Sequence, residues 1–216
     1  MSSALEQMVG QQIRTCEVLD PATLATLRSV PRERFVPGPW RHFSHAEFAI
    51  PLAHGKRMLT PMLVGRLLQA VAVQEGTQVL EIGTGSGYVS ACLARLGGRV
   101  RSLELHEDIA AQARLNLAAA GVHGVSVETA DGTRLDETDR YDCVVLTAAV
   151  PAIDERYLRA LKSGGRLFVI HAAGGASAPM DALRIGRTDS GFDTQLLFQT
   201  SLELLEHTAV PATFRF

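Results

Sequence analysis

Apolar positions recur along this chain at two alternating intervals. From Ala4 to Cys16 they fall at Leu5, Met8, Val9 and Ile13, the spacing of one helical face. A second helix is expected from Asp20-Pro21, with the aspartate as N-cap, the proline in the first turn, and Leu24, Leu27 and Val30 on the apolar side. Val30-Pro31-Arg32-Glu33-Arg34-Phe35-Val36-Pro37 ends it, because neither proline continues a helix. Residues 38–59 have no regular period, and a connection that long in a compact domain is more often functional than idle. Thr60-Pro61 then predicts the cap and first turn of a helix carrying Met62, Leu63, Leu67, Leu68 and Val71.

From Gln78 onward, short apolar runs alternate with helical stretches. Strands are expected at Gln78–Ile82, Arg99–Glu104, Val125–Glu128 and Asp142–Thr147, the last almost wholly apolar. Between them the pattern places a helix over Tyr88–Leu96, stopped by Gly97-Gly98, and another from Glu107 with Ile109, Ala113 and Leu117 on one face. A helix over Asp154–Leu161, a Ser163-Gly164-Gly165 turn and a strand at Arg166–Ile170 follow, and Ala182–Arg187 with Thr194–Leu205 form a closing antiparallel pair. The alternation predicts an α/β fold: a doubly wound, mostly parallel sheet behind an N-terminal helical extension. Ligands of such sheets bind at the carboxyl ends of the strands, near the switch in strand order.

Composition narrows the function by exclusion. The 216 residues are 46% hydrophobic and 20% charged, ordinary values for one globular unit. A formal net charge of -2 gives no general attraction to nucleic acid or anionic membrane, so neither is expected as a partner. Cys16, Cys92 and Cys143 are sparse and unpaired in spacing, which argues against a disulfide framework or a zinc site. His42, His45 and His54 lack an accompanying cysteine or acid cluster, so no metal is expected. With neither a signal-peptide pattern nor a membrane-length apolar run, the expected location is the cytoplasm.

The chemistry concentrates in V-L-E-I-G-T-G-S-G-Y, residues 79–88. A buried strand runs there into Gly83, Gly85 and Gly87, whose missing Cβ atoms let a ligand approach the backbone, and a helix start follows with unpaired N–H groups. The dinucleotide fingerprint G-x-G-x-x-G sets its third glycine later. The G-x-G-x-G spacing here, with Glu81 just before it, resembles motif I of the class I S-adenosylmethionine-dependent methyltransferases, in which the glycines wrap the methionine and ribose portions of the cofactor. Glu104 ends the next strand about 20 residues further on, where a carboxylate suits a ribose diol. The expected cofactor is S-adenosyl-L-methionine, and the candidate cofactor residues are Glu81, Ile82, Gly83, Thr84, Gly85, Ser86, Gly87, Glu104, Leu105, Asp131, Gly132 and Thr147.

Longer stretches resemble one family within that class, the protein-L-isoaspartate O-methyltransferases. They are V-P-R-E-R-F-V-P (30–37), A-I-P-L-A-H-G (49–55), the glycine stretch, A-D-G (130–132), Y-D-C-V-V-L-T-A-A-V-P (141–151) and L-K-S-G-G-R-L (161–167). The resemblance implies methyl transfer to the carboxylate of an isoaspartyl residue in a damaged protein or peptide. It also implies a split of labour, with residues 1–60 supplying the acceptor side and residues 61–216 holding the cofactor in one compact unit. Two departures stand out. The family usually shows Q-T-I-S-Q-P after A-H-G, and its serine position is Leu59 here, which leaves the adjacent Thr60 as the one candidate to replace it. The family's C-terminal F-V-P-L is also missing around Ser201–Leu205. The same fold acting on another acceptor, a small molecule or RNA, and a non-catalytic cofactor-binding relative are the alternatives.

Overall fold

The structure is a computed structural model and describes residues 3–208. Seven strands form one sheet in the order β3-β2-β1-β4-β5-β6-β7. They are β1 (Gln78–Ile82), β2 (Arg99–Glu104), β3 (Val125–Thr129), β4 (Tyr141–Val150), β5 (Leu161–His171), β6 (Met180–Thr188) and β7 (Gly191–Thr200). The first five pair in parallel and the last two close the sheet antiparallel. The chain winds outward from β1 through β2 to β3, then crosses back to β4. The switch point therefore lies between β1 and β4.

Period-two alternation decides which side chains face which layer. Val79, Val100, Cys143, Val145, Phe168 and Ile170 join one buried cluster with the N-terminal helices, α3 (Pro61–Val71) and α4 (Tyr88–Arg95). Leu80, Ile82, Leu103, Val144, Leu146 and Val169 face the other, closed by Tyr157 of the short α6 (Glu155–Arg159). The 13-residue α5 (Glu107–Ala119) lies against β2 and β3 and sends Leu117 into the first cluster.

Capping follows the residues that foretold it. Asp20 accepts the Thr23 N–H at 2.7 Å to start α2 (Pro21–Ser29), and Thr60 accepts the Leu63 N–H at 3.5 Å to start α3. The first helical segment begins as α1 (Ser3–Gln7), widens to a π turn over Met8–Ile13 and tightens to a 3-10 turn over Arg14–Cys16. Met8, Val9 and Ile13 are fully buried. Gly65 of α3 admits this close packing, because a Cβ there would stand 2.9 Å from Ile13 Cγ2.

Three of the boundaries that differ from the sequence expectation have a clear physical cause. The closing strand stops at Thr200 rather than Leu205, because Met180↔Thr200 is the last pair that β6 offers. The chain then turns to β4, where Ala149 donates its N–H to Glu203 O at 2.9 Å and accepts the Leu205 N–H at 2.7 Å. Helix α6 ends at Arg159, since the Ala160 carbonyl instead accepts the Arg140 and Tyr141 N–H groups at 3.0 Å. The Ser163-Gly164-Gly165 turn lies inside β5 as a bulge, where the register jumps from Tyr141↔Leu161 to Cys143↔Arg166.

Candidate active site

The glycine turn leaves the carboxyl end of β1 at the switch point with Gly83, Gly85 and Gly87 at φ of +93°, +53° and +85°. Only glycine adopts such angles in sequence without strain. The Gly83 N–H reaches the Leu103 carbonyl at 2.8 Å, so the turn stays keyed to β2. Thr147, at the corresponding end of β4, donates its hydroxyl to Ile82 O at 3.1 Å and Gly83 O at 2.5 Å. Asn116 of α5 donates to Ser86 O at 3.0 Å.

Two carboxyl groups flank this turn in different surroundings. Glu104 accepts the Gly85 N–H at 2.9 Å and the His106 N–H at 3.2 Å, which leaves lone pairs on both oxygens. Glu81 is fully buried under the turn and accepts hydroxyl hydrogen bonds from Ser102 at 2.6 Å and from Ser90. Its second oxygen has no partner. Burial pushes the Glu81 carboxyl up to about 7; the two serines oppose that rise and the charge of Glu104 adds to it. Thr84 joins the same chain through Ser102, 2.6 Å between hydroxyl oxygens.

Asp131 caps a 3-10 turn over Gly132–Arg134 by accepting the Thr133 N–H at 2.9 Å, and its other oxygen faces His207 Nδ1 at 2.8 Å. Burial raises its pKa, but the Thr133 and His207 contacts outweigh burial and leave it lowered. Gly132 packs so closely that a Cβ would meet Ile82 Cγ2 at 2.4 Å.

The long connection is ordered into a small hairpin. Leu52 N–H donates to Lys56 O at 2.7 Å and Met58 N–H to Ile50 O at 2.8 Å, with His54 at the tip in a left-handed conformation. His54 Nε2 lies 2.9 Å from the Asp108 carboxylate and its ring stacks on His106 at 4.1 Å. Lys56 pairs with Glu206 and Arg57 with Glu203, tying the hairpin to the segment after β7. Lys56 first, then His106, holds the Glu206 carboxyl down at about 2. His42 packs at a tilt against Phe43 and His45 faces Glu33, so the three histidines of this stretch take separate partners.

A cavity of about 40 Å³ opens beside the turn, lined by Gly83, Thr84, Gly85, Ser86 and Thr147 together with Leu59, Tyr88 and Arg32. A wider groove of about 650 Å³ continues from Gly85 and Ser86 along Leu52, Pro37–Trp40 and the first turns of α5. The structure thus gathers Gly83, Thr84, Gly85, Ser86 and Thr147 on one wall. Glu104 lies one hydrogen bond behind that wall, with Leu105 half-buried after it, whereas Glu81, Ile82 and Gly87 support the turn, and Asp131 and Gly132, which packs on Ile82, follow β3, all outside the cavity lining. Leu59 is buried on the wall, and Thr60, spent on its cap, is not part of it. Sequence reasoning missed Ser90, Ser102 and Arg32.

Residues 3–189 match the family model of protein-L-isoaspartate(D-aspartate) O-methyltransferase. Among curated proteins, a Pelobacter propionicus protein-L-isoaspartate O-methyltransferase is 37% identical over 183 residues, 84% of this chain and 80% of the relative. A Methanoculleus marisnigri protein of the same description is 40% identical over 163 residues, 75% of this chain and 74% of the relative. A Plasmodium falciparum crystal structure assigned to that activity, in complex with S-adenosyl-L-homocysteine, superposes with a TM-score of 0.81 over 95% of this chain and 99% of that one; at 15% identity it speaks for the fold. The glycine turn at the β1/β4 switch, the acid closing β2 and these matches over most of the length agree: the chain belongs to the protein-L-isoaspartate(D-aspartate) O-methyltransferase family.

Proposed function

We propose that this protein transfers the methyl group of S-adenosyl-L-methionine to the side-chain carboxylate of an L-isoaspartyl residue in a peptide or protein, as a cytoplasmic repair activity. The observation that carries the reading is the wall of Gly83, Gly85 and Thr147 backed by the Glu104 carboxylate. A Cβ at Gly83 would stand 2.3 Å from Thr147 Oγ1, so glycine there lets the turn close against β4, whereas at Gly85 a Cβ would meet only Leu52 Cδ1 at 3.5 Å, which leaves that part of the turn open to a ligand. Family membership and the unpaired, sparse cysteines support it, and among the described residues no helix is long and apolar enough to cross a membrane.

The residues fit this cofactor. Glu104 has lone pairs for the two ribose hydroxyls, Gly83 to Ser86 wrap the amino-acid portion, and Leu105, Asp131 and Gly132 serve the adenine side, with Glu81, Ile82, Gly87 and Thr147 holding the turn in place. When bound, the cofactor supplies an electrophilic methyl group on a sulfonium. The acceptor carboxylate, with a solution pKa of about 3.9, is already ionised at neutral pH, so the chain has no base to provide. Its contribution is alignment and exclusion of water, for which Met58, Leu59 and Val64 form an apolar wall. Residues 1–60, ending in the 50–58 hairpin, shape the acceptor side, and residues 61–216 hold the cofactor.

The test is incubation with methyl-labelled S-adenosylmethionine and an isoaspartyl peptide beside its aspartyl twin. Base-labile label on the isoaspartyl peptide alone is the expected result. Leu59 favours the alternative of a relative that binds the cofactor without this transfer, and cofactor binding with no label on either peptide would mean that the fold is kept and the acceptor changed or lost.

A further inference from the structure

Among the described residues Arg32 is the one fully enclosed cation, and it has no counter-charge. It lies in the 3-10 turn after α2 and is 1% exposed. Its Nη2 donates to the Leu59 carbonyl at 2.7 Å, and Nε and Nη1 are buried with no hydrogen-bond partner. The guanidinium carbon lies 4.8 Å above the Tyr88 ring, and the Tyr88 hydroxyl, near the guanidinium and the Cys92 thiol, makes no hydrogen bond of good geometry to either. No carboxylate among the described residues forms an ion pair with it. Glu47, whose charge reaches it, is exposed and accepts the Met62 N–H at 2.9 Å instead.

Such an arrangement is costly. A buried cation without an anion loses its hydration, and each orphaned N–H adds a desolvation penalty. Burial accordingly lowers the pKa of Arg32. The cost has a use if an anion arrives. Arg32 and Tyr88 line the same small cavity as Gly83, Thr84, Gly85 and Ser86, where the start of the eight-residue α4 also presents its positive end. Guanidinium donors match carboxylate oxygens better than any other side chain does.

We propose that Arg32 is the cation of a carboxylate-binding subsite in this cavity. The inference rests on the methyltransferase reading, whose reaction brings two carboxylates, the amino-acid end of the cofactor and the acceptor. Contact with the glycine turn and the start of α4 favours the first. The Leu59 backbone, which holds Nη2, then has a function that its side chain does not share: it fixes the guanidinium against the wall.

Calorimetry with S-adenosyl-L-homocysteine and with methylthioadenosine, the same thioether without its amino-acid end, separates the cases. Wild type, Arg32→Met and Arg32→Lys are compared, each with a thermal melt of the free protein. Charge-assisted hydrogen bonds of this kind correspond to about tenfold to hundredfold in affinity. Arg32→Met is expected to weaken S-adenosyl-L-homocysteine by that factor and leave methylthioadenosine within about twofold, with Arg32→Lys between. If S-adenosyl-L-homocysteine binds unchanged but the KM of an isoaspartyl peptide rises about tenfold, the subsite takes the acceptor carboxylate. Equal weakening of both nucleosides in both variants, or no change in affinity or KM, overturns the subsite. Failure of the wild type to bind either nucleoside would overturn the methyltransferase reading itself.

Discussion

Glu104 accepts the Gly85 N–H at 2.9 Å, so the last residue of β2 holds the middle of the glycine turn that leaves β1. On the proposed reading the carboxylate serves two partners, the turn and the ribose diol. Glu104→Ala removes two charge-assisted acceptors for the ligand, and about tenfold to hundredfold weaker binding of S-adenosyl-L-homocysteine is expected. Calorimetry checks it, and wild-type affinity in the variant would move the ribose elsewhere.

Gly83 and Gly85 both have positive φ but differ in surroundings, and the two positions fail differently. A Cβ at Gly83 would collide with Thr147 Oγ1, whereas one at Gly85 would meet only Leu52 Cδ1, at 3.5 Å. Gly83→Ala is therefore expected to destabilise the free protein by about 2–4 kcal/mol, and Thr147→Ala in the same chain to return part of it. Gly85→Val is expected to cost about 1–2 kcal/mol in stability yet abolish cofactor binding. Denaturant unfolding and calorimetry on the same samples give both readings.

Glu81 gives the protein a pH dependence of a defined sign. Its folded pKa of about 7 lies above the ordinary carboxyl value of 4.5, so the folded state binds the proton more tightly. Stability from this group is full below pH 4.5 and is lost as pH rises through about 7. Glu81→Gln mimics the protonated form. The variant is expected to match wild type near pH 4.5 and to exceed it at pH 8 by at most about 3 kcal/mol. Urea unfolding at the two pH values tests this, and a variant equally stable or weaker at pH 8 would refute it.

Much of this could be read from the chain because the signals were local. The N-caps at Asp20 and Thr60 and the parallel strands were set by residues adjacent in sequence, and the β1 turn by glycines two apart. What escaped depended on distant partners. Thr200 ends β7 because β6 runs out at Met180. The hairpin at residues 50–58 is held by Asp108, Glu203 and Glu206. Ser90 and Ser102 look like ordinary helix and strand serines until the fold places both on the Glu81 carboxylate. Arg32 reads as a surface charge at a helix end, and only the closure of Leu59 and Tyr88 over it makes it an enclosed cation.

Leu59 and Thr60 show how one sequence position can be reassigned. Leu59 occupies the place of the family serine, and its side chain is buried at 6% exposure in the cluster shared with α3 and α4. Thr60 accepts the Leu63 N–H as the cap of α3 and lines neither the cavity nor the groove. If Thr60 acts only as a cap, Thr60→Ala lowers stability by about 1 kcal/mol and leaves kcat on an isoaspartyl peptide within about twofold. Leu59→Ser opens a cavity in a packed layer and costs about 2–5 kcal/mol, close to the loss from a buried leucine cut to alanine. Melting curves and kinetics on the two variants separate these outcomes. A hundredfold fall in kcat for Thr60→Ala at unchanged stability would mean that its hydroxyl had taken over the missing serine's work.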